Sequence, residues 1–367
     1  VRVLVVNAGS SSLKVRVLDS DDAVLLSADL PPIEENSGRD AIVDALSEVE
    51  AVDAVGHRIV HGGAHFDGSR LVDEDVVRVL TTLTDLAPLH QPPSLAALDV
   101  VSRALPDVPA VVCFDTAFHT SLPPAAATYA VPESWRDELG VRRFGFHGLS
   151  HAYAARRAAE MLARPSNGLR MVTCHLGAGA SLAAIRDGAS VDTTMGFTPL
   201  EGLVMATRSG SVDPGLLLWL QRHMGLSAED IADALEHHSG LKGLAGASDM
   251  RVVLGAAEAG QAQARLAVEV YVHRLCASVA AMAASLQGLD VLAFTGGVGE
   301  NAWMIRQQAA DRLGFLGIET DRERNQSAVP DTDVGTARAP VRCLVIKSRE
   351  DLEIAREVRT LIGEITR

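Results

Sequence analysis

Asn7-Ala-Gly-Ser-Ser-Ser-Leu-Lys-Val-Arg-Val-Leu18 and His175-Leu-Gly-Ala-Gly-Ala-Ser-Leu-Ala-Ala-Ile185 share one plan. Each follows a short apolar run (residues 1–6 and 171–174). Each then turns through a loop of small residues and leaves on a second run that reads as a strand. The two segments lie about 170 residues apart, near half the chain length, and repetition at that distance points to an internal duplication that sets the whole fold. The first loop offers close-approaching backbone N–H groups, the hydroxyls of Ser10 and Ser12, and the cation of Lys14. Those are the parts of a phosphate cradle, and Ser12 and Lys14 share a face because alternate strand residues do. A polar hairpin tip is the structural alternative. A third signal comes later: residues 290–295 read as a strand, Gly296-Gly-Val-Gly299 as a turn, and Glu300-Asn301 as the entry to a helix running to about Leu313. A glycine turn feeding a helix can cradle an anion. No GxxxxGK[ST] motif occurs, which argues against a P-loop enzyme.

Composition narrows the partners. The 367 residues are 47% hydrophobic and only 4% aromatic, which favours an α/β core of aliphatic side chains. The formal charge of −14 repels nucleic acid and anionic membrane. An anionic substrate must therefore be drawn in by local basic residues. Cys113, Cys174, Cys276 and Cys343 form no CxxC pair and read as reduced thiols of a cytoplasmic protein. The most apolar helical stretch, Ala262–Leu286, is interrupted by Arg265, Glu269, His273 and Arg274 and reads as a buried core helix. Further helices are expected at residues 73–83, 94–104, 151–163, 213–223, 228–237 and 349–366. The expected domain boundary lies near residues 118–124.

The chemistry-bearing candidates are scattered. Arg58 stands in Gly56-His-Arg-Ile-Val-His-Gly-Gly63 and Arg208 in Thr207-Arg-Ser-Gly-Ser-Val-Asp213. Paired arginines can stabilise the charge that spreads over a transferring phosphoryl group, or can serve in surface salt bridges. Asp115 ends a predicted strand, where a carboxylate can orient a metal or water, or can cap a helix. Asp249 can likewise cap a helix, and Glu350 and Asp351 can simply be charges in the first turn of the last helix. His147, in a glycine-flanked turn, can donate to a developing charge or serve structurally. The spacing of His57, His61 and His65 does not suit zinc, because His61-Gly-Gly-Ala-His65 is a poor helix.

Taken together, NAGSSSLK, GHRIVHGG, FDTAFH, RRFGFHGLSH, MGFTPLEG, TRSGSVDP, SDMR and FTGGVGEN resemble the acetate kinase family, within the acetate and sugar kinase/Hsp70/actin superfamily. The motifs run in family order over nearly the full chain. The resemblance implies an α/β, duplicated actin-like (ribonuclease H-like) two-lobed fold with an interdomain cleft. Its lobes would comprise residues 1–118 with the C-terminal helix 352–367, and residues 119–351 with the nucleotide pocket. It implies Mg²⁺-dependent, reversible phosphoryl transfer from ATP to acetate giving ADP and acetyl phosphate, Mn²⁺ being an alternative ion. It further implies a cytoplasmic homodimer with no nucleic-acid or membrane partner.

Residue by residue, the resemblance makes Arg58, Asp115, His147 and Arg208 catalytic. It gives Asn7 and Glu350 to the metal, with Asp115 serving the same site. Ser10, Ser12 and Lys14 fall to the first phosphate loop, and His175, Gly177 and Gly179 to the second. Asp249, Met250, Arg251, Gly296, Gly297, Gly299 and Asn301 would line the nucleotide site. Val60, Leu89, His90, Phe146 and Pro199 would line the acyl pocket, with Arg58 beside them. One departure stands out: the family's usual His-Leu-Gly-Asn-Gly has Ala178 in place of asparagine, and losing one charge-assisted bond costs about 1.5–3 kcal/mol. The segment between Asn301 and Glu350 is also short for the family. Two rivals remain on the same fold: a propionate or butyrate kinase, since one methylene is worth only ~1–3 kcal/mol, and a non-catalytic ATP-binding regulator.

Overall fold

The computed structural model describes residues 1–8, 13–33, 36–47, 51–87 and 91–365. β1 (Val3–Ala8) and β2 (Leu13–Leu18) form an antiparallel hairpin with Asn7 opposite Lys14, and β3 (Val24–Leu30) continues the meander. β4 (Ala54–Ile59) pairs parallel to the other side of β1, and β6 (Ala110–Phe114) parallel to β4. The short β5 (Arg70–Leu71) closes the edge, antiparallel to β6.

β7 (Arg170–Leu176), β8 (Ala180–Arg186) and β9 (Ala189–Thr193) form a second antiparallel meander. β10 (Val291–Thr295) runs parallel to β7, β12 (Arg342–Val345) parallel to β10, and the short β11 (Thr332–Asp333) antiparallel to β12. The orders β3-β2-β1-β4-β6-β5 and β9-β8-β7-β10-β12-β11 match strand for strand and direction for direction. The duplication inferred from two small-residue loops is therefore a duplication of topology, and the architecture is α/β with two mixed sheets.

The described chain divides into two compact units: Val1–Thr120 with Phe146–Tyr153 and Arg349–Arg367, and Ser121–Gly145 with Ala154–Ser348. In the first unit, alternate residues of β1 serve opposite faces. Leu4 and Val6 pack with Ile42 and Val101, while Val3 and Val5 pack with Val111, Ile354 and Val358. Gly56 lets the C-terminal helix Glu350–Ile365 lie close on β4, since a Cβ there would stand 2.5 Å from Ile354 and 2.8 Å from Val358. The division differs from the sequence expectation at Phe146–Tyr153, which joins the first unit. Leu149 packs with Val3 and Cys113, and the Gly148 N–H donates to the Asp115 carbonyl at 2.8 Å.

In the second unit, the helix Ala262–Leu286 packs on β7, β8 and β9 and buries Ala264, Val268, Val272 and Val279. It is the one helix among the described residues long and apolar enough to cross a membrane. It is buried on one face only, and Arg265, Glu269, His273 and Arg274 are exposed on the other. Other elements shift modestly. The helix expected from residue 94 starts at Gln91, and the one expected from residue 151 starts at Gly148. The one expected at 213–223 is a short α-helix, Pro214–Trp219, with Asp213 as N-cap, followed by a π-helical turn over Leu220–Met224.

Candidate active site

Parallel β1, β4 and β6 end at the same edge of the first sheet, the edge at which α/β proteins present their ligating residues. That topology brings Asn7, Arg58 and Asp115 together, and the first residue of the C-terminal helix adds Glu350. Arg58 Nε donates to Asp115 Oδ1 at 3.0 Å, and Nη2 to Oδ2 at 2.5 Å. Arg58 Nη1 donates to Asn7 Oδ1 at 3.0 Å, and Asn7 Nδ2 donates to Glu350 Oε2 at 3.0 Å. Glu350 Oε2 also lies 3.9 Å from Arg58 Nε. One guanidinium thus serves two carboxylates, with an amide between.

Asp115 is 1% exposed. Burial pushes its carboxyl above the ordinary range, while the charge and hydrogen bonds of Arg58 draw it back down. Burial also works against the Arg58 cation, but Asp115 and Glu350 outweigh it and hold the guanidinium above its ordinary value. The fork-to-fork geometry keeps the pair ionised. The helix-cap reading of Asp115 gives way to this pairing.

His147 stands beside the pair in the left-handed backbone region, φ 56°. That conformation is uncommon for a residue with a side chain. Gly148 fixes it: a Cβ there would come within 2.2 Å of the Asp115 carbonyl oxygen. The His147 backbone N–H also serves the Asp115 carboxylate. Phe146 and Val60 are both buried in this unit, and His61, next to Val60, meets the Phe146 ring edge-on at 5.4 Å. Lys14 is exposed on β2, directly across from Asn7. Ser10, Ser12, Leu89 and His90 lie outside the described residues.

In the second unit, the β7–β8 hairpin carries half-buried His175 near the end of β7, and its tip is closed by a Gly177 N–H bond to the Gly179 carbonyl at 2.9 Å. β10 pairs Thr295 with His175, so the glycine motif after β10 abuts the hairpin. Gly296 has φ +79°, and a Cβ on it would stand 2.8 Å from the Leu176 carbonyl oxygen. The motif does not lead into a helix at Glu300, as the sequence suggested. It is itself a helical turn, Gly296–Asn301, and a second helix, Trp303–Arg312, follows. Gly297 is exposed, and Asn301 Nδ2 ties back to its carbonyl at 2.8 Å.

Arg208 differs from Arg58. It is half-buried, its guanidinium donates to the Pro199 carbonyl at 2.8 Å, and it forms no ion pair among the described residues. Burial lowers its pKa, and Glu236 counters only in part.

The acetokinase family matches residues 34–356 of this chain. The chain belongs to the acetokinase family. It is 50% identical over 318 residues to an acetate kinase of Synechococcus sp. (strain JA-2-3B'a(2-13)), covering 86% of this chain and 78% of that one. The crystal structure of Porphyromonas gingivalis acetate kinase superposes with a TM-score of 0.92 at 35% identity, covering 98% and 99% of the two chains. A propionate kinase from Francisella tularensis subsp. tularensis SCHU S4 gives 0.91 at 34% identity, with the same coverage.

Within this acetokinase chain the SDMR segment is locally self-paired. Asp249 caps the helix Met250–Glu258, accepting from the Arg251 N–H at 2.8 Å, and forms an ion pair with the Arg251 side chain at 2.5 Å. The cap is thus one of the two readings Asp249 admitted. Two buttresses of the glycine turn escaped the sequence reading. Glu300 accepts from the N–H groups of Gly296 (3.1 Å) and Ser348 (2.9 Å). Arg306, 1% exposed, donates to the Gly299 and Glu300 carbonyls at 2.9 and 2.8 Å and to Asn325. Glu300 lies one helical turn after Gly296, a spacing at which side chains reach the first turn. Arg306 carries no comparable signal.

Among the described residues, no three or more His, Cys, Asp and Glu gather to hold a metal on their own. The donors at the first sheet's edge are nonetheless all oxygens: Asp115, Glu350 and the Asn7 amide, of whose two lone pairs Arg58 uses one. That set suits a hard cation that keeps most of its waters and arrives with nucleotide phosphates.

Proposed function

We propose that this protein transfers a phosphoryl group reversibly between ATP and acetate, giving ADP and acetyl phosphate, in line and without a phospho-enzyme. The observation that carries the reading is the contrast between the two arginines. Arg58 is held in place by a two-point pairing with Asp115, whereas Arg208 is a half-buried cation whose hydrogen bond goes to a neutral carbonyl. Such a cation is suited to an anionic substrate, and two arginines can neutralise the charge that spreads over equatorial phosphoryl oxygens. Here Arg208 takes the acetate carboxylate, Arg58 and His147 face the developing charge, and Asp115 holds Arg58 in place. Val60, Phe146 and Pro199 present apolar surface to the methyl group. His175, Gly177, Gly179, Gly296, Gly297 and Gly299 serve the nucleotide. Mg²⁺, or Mn²⁺, would be held through Glu350, Asp115 and Asn7, where it would neutralise phosphate charge. A cytoplasmic location fits the four free cysteines and ATP as co-substrate.

The deciding experiment is a hydroxylamine trap with ATP, Mg²⁺ and acetate, propionate or butyrate in parallel. Acyl hydroxamate is expected with the highest kcat/KM on acetate. A preference for a longer acid would move the specificity while keeping the mechanism, and bound nucleotide with no product from any acid would sink the catalytic reading.

We also propose a homodimer. Val212, Leu216, Leu218, Trp219, Met224 and Leu226 are all more than a third exposed within one short stretch, a density that monomers rarely leave in water. Sedimentation at micromolar concentration is expected to give about twice the chain mass of 38.7 kDa. A single-chain mass there would refute the dimer.

A further inference from the structure

MGFTPLEG contributes Pro199 to the reading above, but its glutamate has no role there. Glu201 Oε1 accepts from Arg143 Nη2 at 2.9 Å, and Oε2 from the Tyr129 hydroxyl at 2.5 Å. That hydroxyl in turn accepts from the Phe197 N–H at 3.0 Å. Arg143 Nη1 donates to the Thr194 and Met195 carbonyls at 3.2 and 3.0 Å, and its guanidinium lies over the Tyr129 ring at 5.3 Å. The cluster closes on Gly196, where a Cβ would come within 1.8 Å of Glu201 Oε2 and 2.1 Å of the tyrosine hydroxyl. The Gly196 carbonyl accepts from the N–H groups of Phe144 and Gly145. On the other side of the same turn, Arg208 donates to the Pro199 carbonyl at 2.8 Å, and Gly202 and Ser211 exchange two hydrogen bonds.

The segment that presents Pro199 is therefore gripped before and after that residue, by Tyr129 and Arg143 from distant sequence and by Arg208 and Ser211 from the turn that follows. Its carbonyl is the hydrogen-bond partner that aims Arg208. The pair is only partly solvated, the Arg143 side chain being 17% and the Glu201 side chain 37% exposed.

We propose that Tyr129, Arg143 and Glu201 form a positioning clamp for the carboxylate end of the site. By fixing Pro199, and through it Arg208, the clamp sets how long an acyl chain the enzyme accepts. The proposal rests on the reading of Pro199 and Arg208 given above. None of the three residues touches the reacting atoms. They act through the turn, where a displacement of about 1 Å can change rate by up to about 100-fold.

The test compares Tyr129→Phe, Glu201→Ala and Glu201→Gln with the wild type by hydroxamate kinetics on acetate and propionate, with KM for ATP measured alongside. Tyr129→Phe removes one oxygen and leaves Glu201 Oε2 and the Phe197 N–H unpaired. For it and for Glu201→Ala, KM for acetate is expected to rise about tenfold and the acetate-to-propionate preference to fall about tenfold, with KM for ATP within about twofold of wild type. Glu201→Gln, which keeps the shape and one acceptor, is expected to recover part of the preference. An unchanged acetate-to-propionate ratio in Tyr129→Phe, or acetate and ATP constants that move together, would overturn the clamp. Should Glu201→Ala fail to fold, Tyr129→Phe and Glu201→Gln carry the same comparison. A wild type that forms no acyl hydroxamate would overturn the functional reading and the clamp with it, whereas an active wild type with an unmoved ratio overturns the clamp alone.

Discussion

Arg58→Ala is expected to lower kcat/KM for acetate by about 10³-fold or more, the scale on which arginines act in phosphoryl transfer, and to destabilise the fold as well. Both effects come from the same contacts. Arg58 bonds to both oxygens of Asp115 and to Asn7, and lies within ion-pair distance of Glu350. Truncation strands a carboxylate that is 1% exposed next to a second one, and breaking a buried pair from one side costs about 3–5 kcal/mol. The stranded Asp115 has a way to relax. Burial already pushes its pKa up, and the Arg58 charge that opposes the shift is gone. A carboxyl whose folded pKa lies above its unfolded value favours the native state below the unfolded pKa and loses that contribution as pH rises through the folded one. The stability gap between Arg58→Ala and wild type should therefore narrow as pH falls from 7 toward 5. Arg58→Lys keeps the charge but loses the fork, and should fall between the two. Thermal unfolding across that pH range, with hydroxamate kinetics at pH 7, checks both halves. Activity within tenfold of wild type would remove Arg58 from the chemistry.

The parts of this arrangement that could be read from sequence were those local in the chain. β1 with β2 and β7 with β8 pair as strands adjacent in the chain, so the repeat was visible, and the repeat carried the topology. Asn7, Arg58 and Asp115 were legible one at a time, as polar residues at the ends of apolar strands. That they meet follows from parallel pairing of β1, β4 and β6, which only the family resemblance implied. The helix Ala228–His237 keeps its expected bounds, and its capping box, Ser227 with Asp230, is local in the chain. Boundaries failed where tertiary contacts decide them. Gly148 begins a helix because its N–H is taken by Asp115, and Phe146–Tyr153 joins the first unit through Leu149, which looks like any other apolar residue. The Gly296–Asn301 turn is helical because Gly296 must clear Leu176 and Glu300 caps it. The Tyr129–Arg143–Glu201 cluster draws on residues up to 72 positions apart, with no periodicity to announce it.

Arg208→Ala is expected to separate activity from stability in a way that Arg58→Ala does not. Its guanidinium gives up a hydrogen bond to the Pro199 carbonyl, and no ion pair among the described residues is broken. Burial already holds its pKa below the ordinary value, with Glu236 compensating only in part, so the native state carries a desolvated cation that truncation removes. The bond lost has a charged donor and is worth about 1.5–3 kcal/mol, but relief of that desolvation offsets part of it, and the unfolding midpoint should fall less than in Arg58→Ala. Turnover should not. If the cation is kept for substrate, kcat/KM for acetate should drop about 10²–10⁴-fold, as when a preorganised donor to a developing charge is deleted. The KM for ATP should stay near wild type, because the residues of the second unit proposed for the nucleotide keep their own contacts. Arg208→Lys should recover the charge but not the planar double contact with a carboxylate. Unfolding midpoints and hydroxamate kinetics on the same preparations make the comparison. A variant that lost activity only in proportion to lost folded protein would make Arg208 structural, and one that kept full turnover would end its catalytic assignment. A stable, folded and inactive protein is the outcome expected of a cation held in place for a ligand.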